Sequence, residues 1–358
     1  MAIAMETLPE IRIQRCVRYR FRYSHCSRCA DGCPPGALTP DEEGVTLDAT
    51  RCSGCGLCGT TCPTAVFEPA RLPLAALVKP EASSLSVVCA PSGLRGEVRV
   101  PCLGDLDLAL LATLAQRDIA ITLRGAGHCE TCANAPAGGE RVEGLADALD
   151  ELGNAASDQG LPWSAPLVAT EAAGRAHQAE RRQLFRRWAN RAVQSSRDQD
   201  VELEVPAFAI RAAAHFVPAR RRLAEAVLGR FDAFPESTRI ALLLGVGRVD
   251  ARAGRCTGCE SCARVCPSGA LKIFEGDTRW ELQFRIGQCL GCGVCVEACG
   301  ADALTLHHHW QPATGAPVEL HSLRRFLCES CGRFFIGLEE DTCPVCSDDE
   351  DSFEAIFG

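Results

Sequence analysis

Two stretches of the chain alternate apolar and polar residues around an acidic glycine turn: TPDEEGVTLDAT at 39–50 and KIFEGDTRWELQF at 272–284. A period of two puts every second side chain on one face, so each stretch predicts a short β-hairpin. VRYRFRYSH at 17–25 alternates in the same way and predicts extended chain. In the middle lie three β-branched runs, SVVCAP at 86–91, VRVPCLG at 98–104 and IAITLRGAGHC at 119–129. Between the last two, LDLALLATLAQ at 106–116 carries apolar residues at helical spacing. That order predicts a parallel α/β layer whose strands end on one common edge. Farther on, RRQLFRRWANRAV places Leu184 and Trp188, and ARRRLAEAVLGRF places Leu223, Val227 and Phe231, at helical spacing. QSSRDQDVELEVPAF between them reads as turn or extended chain, and the helices are expected to pack the two halves of the chain together.

Composition changes this picture. A chain of 358 residues has room for two or three domains, but 24 of them are Cys, so much of the interior is metal site rather than apolar core. Disulfide frameworks belong to short secreted chains. The start, MAIAMETLPEIRIQRC, has neither a long apolar region nor a twin-arginine pair. IALLLGVG at 240–247 falls far short of the run of about 18 apolar residues that a membrane span needs. A reducing cytoplasm is the expected location. A net charge of -9, with EED at 339–341 and DDED at 348–351, argues against nucleic acid as the main partner. The basic residues are almost all Arg, with Lys79 and Lys272 the exceptions, and this reads as compositional bias.

The cysteines fall into runs. A bacterial [4Fe-4S] site reads C-x2-C-x2-C-x3-C-P, and RCSGCGLCGTTCP at 51–63 and QCLGCGVCVEACG at 288–300 follow that spacing in register with each other. CPPGAL at 33–38 recurs as CPSGAL at 266–271, the latter closing a run that begins at Cys256. The run at Cys26, Cys29 and Cys33 is one short, because Tyr23 stands where its leading Cys belongs. Over residues 16–68 and 255–306 the chain resembles bacterial dicluster ferredoxins, present twice. The resemblance implies four [4Fe-4S] clusters. It assigns Cys256, Cys259, Cys262 and Cys299 to one site and Cys266, Cys289, Cys292 and Cys295 to its neighbour. Gly300 replaces the usual Pro, which shapes the turn and is not a ligand. In the N-terminal copy Cys33, Cys52, Cys55 and Cys58 make one complete site. Cys26, Cys29 and Cys62 lack a fourth ligand, and Cys16 is the expected one, ahead of His25 or an open iron. Nine intervening residues span up to about 30 Å, so the fold-back is within reach.

Eight cysteines remain, in two groups of four. Cys89, Cys102, Cys129 and Cys132 sit at the ends of the three β-branched runs and would converge on one edge of the layer. This segment resembles the [2Fe-2S] delta subunit of methyl-viologen-reducing hydrogenases, although it is shorter and its GHCETC pair is tighter. A [2Fe-2S] cluster is expected, with zinc and simple buried thiols as alternatives. In FLCESCGRFFIGLEEDTCPVCS, Cys328, Cys331, Cys343 and Cys346 form two CxxC knuckles, resembling a zinc ribbon or the rubredoxin-like tail of rubrerythrin, for one Zn or Fe. HHHW at 307–310 is expected as an exposed segment.

The expected fold is therefore an α+β multidomain chain. It comprises a dicluster module at 10–70, an α/β domain at 80–152, a mainly helical linker at 153–250, a second module at 251–310 and a zinc-ribbon or rubredoxin-like tail at 320–358. No GxGxxG after a strand, no Walker A sequence and no CxxxCxxC occurs, so flavin, nucleotide and radical chemistry have no address. The expected function is single-electron relay to or from a catalytic oxidoreductase subunit such as a formate dehydrogenase or hydrogenase, without membrane insertion. The alternative is a scaffold or assembly factor whose clusters are structural.

Overall fold

A computed structural model describes residues 8–68, 82–170, 209–310, 315–337, 342–343 and 346. Both hairpins form: Leu38–Asp41 pairs antiparallel with Gly44–Leu47, and Leu271–Glu275 with Arg279–Phe284. In each module the chain ends then pair with each other, Glu10–Ile11 with Phe67–Glu68 and Arg248–Ala251 with Leu304–His307. The cysteine repeat is thus also a backbone repeat.

VRYRFRYSH departs from its extended expectation. Val17–Arg20 is one turn of helix, and only Phe21 makes an isolated bridge, to Ile210. The alternation is overridden by Arg20, which is almost fully buried. Its guanidinium donates to the carbonyl oxygens of Gln14 at 3.0 Å and Ala213 at 3.3 Å, and to that of Ala214. A buried cation needs such partners, and the helical turn aims it at them.

The parallel layer forms as expected, with strand order Val98–Val100, Ser84–Cys89, Ala120–Arg124 and Leu167–Ala169 and every pairing parallel. Asp107 caps the helix Leu108–Gln116 by accepting the Leu110 N–H at 3.1 Å, and Leu108, Leu111 and Leu114 bury its inner face. This unit does not stop at residue 152. Its long helix is Ala137–Asp158, Leu167–Ala169 adds the fourth strand, and the helices Ala219–Leu228 and Thr238–Leu244 share its core through Val227, Phe231, Ile240 and Leu244. Residues 153–170 and the two helices of the expected linker therefore pack with the middle layer, whereas Ile210, Phe216 and Val249 pack on the two modules. RRQLFRRWANRAV, with Leu184 and Trp188, and QSSRDQDVELEVPAF lie outside the described residues.

Helix Ala219–Leu228 ties the modules together through two consecutive arginines. Arg220 donates to the carbonyl of Gly59 at 2.9 Å and to that of Cys62 in the first module. Buried Arg221 donates to the carbonyls of Cys289 at 2.7 Å and Ile286 at 2.8 Å in the second. The HHHW segment is not exposed as a whole: His307 ends a paired strand, and Trp310 is buried with its ring 5.0 Å from that of Phe234. The tail is continuous with the second module, because Val318–Leu327 pairs with both Arg279–Phe284 and Phe334–Gly337 to make a four-stranded antiparallel sheet. Among the described residues no helix is long and apolar enough to cross a membrane.

Candidate metal centres

Cys16 lies between the 3-10 turn Ile13–Arg15 and the helix Val17–Arg20, and it is buried. With Cys26, Cys29 and Cys62 it lines one cavity. Burial pushes the Cys16 thiol up to about 11, although backbone N–H groups of Tyr19 and Arg18 oppose the shift. Burial, then the neighbouring Cys62, Cys16 and Cys26, pushes Cys29 up to about 12. His25 is exposed and does not line the cavity, and Tyr23 is 61% exposed with its ring edge-on to Phe21.

The second set comprises Cys33, Cys52, Cys55 and Cys58. Burial raises the Cys58 thiol, and Cys55, Cys52 and Cys33 stand close enough to add to the shift. The Ala37 N–H points at Cys33 Sγ at 3.3 Å. Cys256, Cys259, Cys262 and Cys299 line a cavity of their own, where the Ala303 N–H points at Cys299 Sγ at 3.2 Å. Cys259 is the exposed member. Burial works to raise its thiol, but the N–H and hydroxyl of Ser261 and the hydroxyl of Thr257 outweigh that and hold it below the ordinary value. In the fourth set burial, followed by Cys292, Cys289 and Cys266, raises Cys295, and burial pushes Cys289 up to about 11.

The middle set forms where the parallel strands end. Cys89 closes Ser84–Cys89, Cys102 follows Val98–Val100, and Cys129 and Cys132 belong to the turn after Ala120–Arg124. All four line one cavity. The first turn of Ala137–Asp158 closes the site from the other side. A Cβ on Gly138 would stand 3.2 Å from Cys102 Sγ, so this helix approaches because the residue has no side chain. Burial pushes Cys89 up to about 11 and Cys102 up to about 12.

The tail set is built differently. Among the described residues it is the one group of three or more ligand-type side chains whose ligand atoms, those of Cys328, Cys331, Cys343 and Cys346, all lie within 4.8 Å of one another. A tetrahedron of thiolates around one ion, with metal–sulfur bonds of about 2.3 Å, has edges of about 3.8 Å. Cys331 Sγ and Cys343 Sγ stand 3.8 Å apart. The Cys343 N–H points at Cys328 Sγ at 3.3 Å, and the N–H groups of Cys343 and Cys331 lead in lowering the Cys328 thiol to about 6.

None of the 24 cysteines is in a disulfide. Soft all-sulfur donors, N–H groups aimed at sulfur and buried walls suit iron–sulfur groups in the four wider sets of the two modules and a single ion in the tail; the fifth wider set, in the middle layer, offers four sulfurs on one cavity. Thiols raised by burial stay protonated until a metal displaces the proton. Sequence reasoning missed the structural arginines, because one-sided composition masks which of many Arg residues turn inward. No curated protein matches the chain. The 4Fe-4S dicluster domain matches residues 24–66 and 255–303, the first match beginning downstream of Cys16. The chain is an iron–sulfur protein that carries the 4Fe-4S dicluster domain twice.

Proposed function

We propose that the protein is an electron-transfer subunit with four [4Fe-4S] clusters, held by Cys16, Cys26, Cys29 and Cys62; by Cys33, Cys52, Cys55 and Cys58; by Cys256, Cys259, Cys262 and Cys299; and by Cys266, Cys289, Cys292 and Cys295. The observation that carries this reading is the position of Cys16, which supplies a fourth thiol beside the incomplete run. With four thiols at each site no iron is left open for substrate, and what such clusters supply when bound is one-electron exchange. The protein's part is to bury them, aim N–H groups at sulfur and set the nearby charge. The middle set holds a [2Fe-2S] cluster on this reading, which rests on the resemblance of its segment and on four thiols lining one cavity. The tail holds one structural zinc, with iron as the alternative. The partner is a catalytic redox enzyme, with formate dehydrogenase and hydrogenase as the candidates carried over from the resemblance.

The test is iron analysis with a potentiometric titration of anaerobically prepared protein. Four cubanes and one [2Fe-2S] cluster require roughly 18 iron atoms per chain by site counting, all reversibly reducible. About 8 iron atoms per chain in fully reconstituted protein would contradict the two-module reading. Clusters that neither accept nor release electrons would favour the scaffold alternative. Metal analysis of the intact protein decides the tail: about one zinc per chain supports a structural knuckle, whereas a rubredoxin-like red centre adds a redox station.

A further inference from the structure

The incomplete first run departs from the others at a second place. After their second Cys the three complete runs continue with Gly56–Leu57, Glu260–Ser261 and Gly293–Val294, and the first residue of each pair is left-handed, with φ of +85°, +62° and +86°. The first run has Ser27–Arg28 there, with Ser27 at φ −126°. Leu57 and Val294 are buried where they stand. Arg28, in the corresponding position, reaches across to the second module. Both of its terminal nitrogens approach the Gly291 carbonyl oxygen at 3.4 Å, and it lines the same cavity as the first thiol set.

Cys292, a member of the fourth set, also lines that cavity. Around this point Val17, Val265 and Val294 form one apolar cluster against which both Cys26 and Cys292 pack, and Ser24 Oγ donates to Glu297 Oε2 at 2.5 Å. The far side of the first module meets the middle layer in a comparable way. Cys55, Leu57 and Cys102 share a buried cluster, and Ser53 Oγ donates to Asn134 Oδ1 at 3.2 Å. Within the modules, Cys262 and Cys295 share one core cluster, and Cys29 and Cys58 another.

We infer that the five wider thiol sets form one unbranched row, in the order Cys256 set, Cys266 set, Cys16 set, Cys33 set and Cys89 set, and that Cys26, Arg28 and Cys292 make the joint between the two modules. The row does not follow the sequence, since the last of the five sets in chain order of its first Cys, the Cys266 set, meets the first. Its Cys256 end faces solvent, since Cys259 is the exposed member of the five sets. Arg28 acts on both sets at the joint as a shared positive charge. A cation there favours the more negative, reduced state of a bound cluster and raises its potential. The inference rests on the reading that these sets hold iron–sulfur clusters.

The test uses the full chain. Substituting Cys52→Ser, Cys55→Ser, Cys259→Ser and Cys262→Ser removes the second and third sets and leaves one cubane site in each module. After reduction by a reduced viologen, one electron per cluster and no bond broken, the EPR spectrum is expected to show mutual broadening of the two remaining cubane signals. Adding Cys29→Ser should abolish that broadening. A spectrum that is the plain sum of two isolated clusters would overturn the row. Should that variant fail to fold, Arg28→Gln in the otherwise native chain is expected to move two midpoint potentials to more negative values, with Arg28→Lys restoring them. No shift, or a shift confined to one cluster, overturns the joint. Clusters that titrate normally but neither interact nor shift would refute the row alone, whereas clusters that cannot be reduced at all would refute the electron-transfer reading.

Discussion

The two dicluster modules share a backbone plan and differ in where their ligands come from. In the C-terminal module every thiol belongs to a local run, and the short helices Ser261–Val265 and Val294–Glu297 each start just after a left-handed residue. The N-terminal module keeps the hairpin and the end-strand pairing, but Cys16 comes from a separate turn, ten positions ahead of Cys26. Its run gives up the left-handed residue too. What the difference teaches is that the motif is one way of delivering four sulfurs to a cavity. A buried turn held by Arg20 brings a fourth thiol to the same cavity.

The comparison breaks most severely in the fourth set. Cys266→Ser with Cys295→Ser removes two thiols from a site whose wall also carries the joint to the first module, so we expect loss of about four irons per chain and weakened association of the modules. Iron analysis and limited proteolysis check this; retention of full iron content would separate the fourth set from the module interior. Arg221→Ala is expected to come next. It leaves the Cys289 carbonyl without its donor, at about 1–3 kcal/mol for a buried group left unpaired, while the Ile286 carbonyl keeps the Cys289 N–H. Chemical denaturation of the second module should show it, and Arg222→Ala, whose side chain lies on the exposed face, should not.

Two smaller effects sharpen the same contrast. If the sequence position of the missing Cys mattered more than its place in space, Tyr23→Cys would rescue Cys16→Ser. We expect no rescue, because the Tyr23 side chain points to solvent, and iron content of the double variant reads the result. Cluster insertion into apo protein should slow as pH falls. Burial raises the Cys16 and Cys29 thiols to about 11 and 12, so the neutral form dominates at physiological pH and each ligand must lose a proton to bind. Stopped-flow reconstitution at mildly acidic and mildly alkaline pH measures the slope, and a rate independent of pH would remove deprotonation from the limiting step.

Much of this was legible in the cysteine spacing, since a run such as Cys52, Cys55 and Cys58 closes around a cluster within a few residues of chain. The hairpins and the parallel edge carrying Cys89 and Cys102 were legible too, because period-two alternation and β-branched runs are local signals. What could not be read depends on groups far apart in sequence. Arg20 turns VRYR into a helix through carbonyls nearly two hundred residues away at Ala213 and Ala214. Arg220 and Arg221 point to opposite modules from adjacent positions, and no periodicity distinguishes them from the many exposed arginines. Trp310 is buried in a core built from residues far earlier in the chain, with its ring against that of Phe234, and the fourth strand of the middle layer, Leu167–Ala169, is too short to announce itself.

The central claim, that Cys16 completes the first site from outside the motif, is tested most directly by EPR of oxidised Cys16→Ser protein beside His25→Ala. A hydroxyl is a poor replacement for thiolate on iron. We expect Cys16→Ser to shed one iron from a single cluster and give the paramagnetic signal of an oxidised [3Fe-4S] species, with the second set, on Cys33, Cys52, Cys55 and Cys58, unchanged and His25→Ala silent. An unaltered spectrum in Cys16→Ser together with cluster loss in His25→Ala would contradict the account.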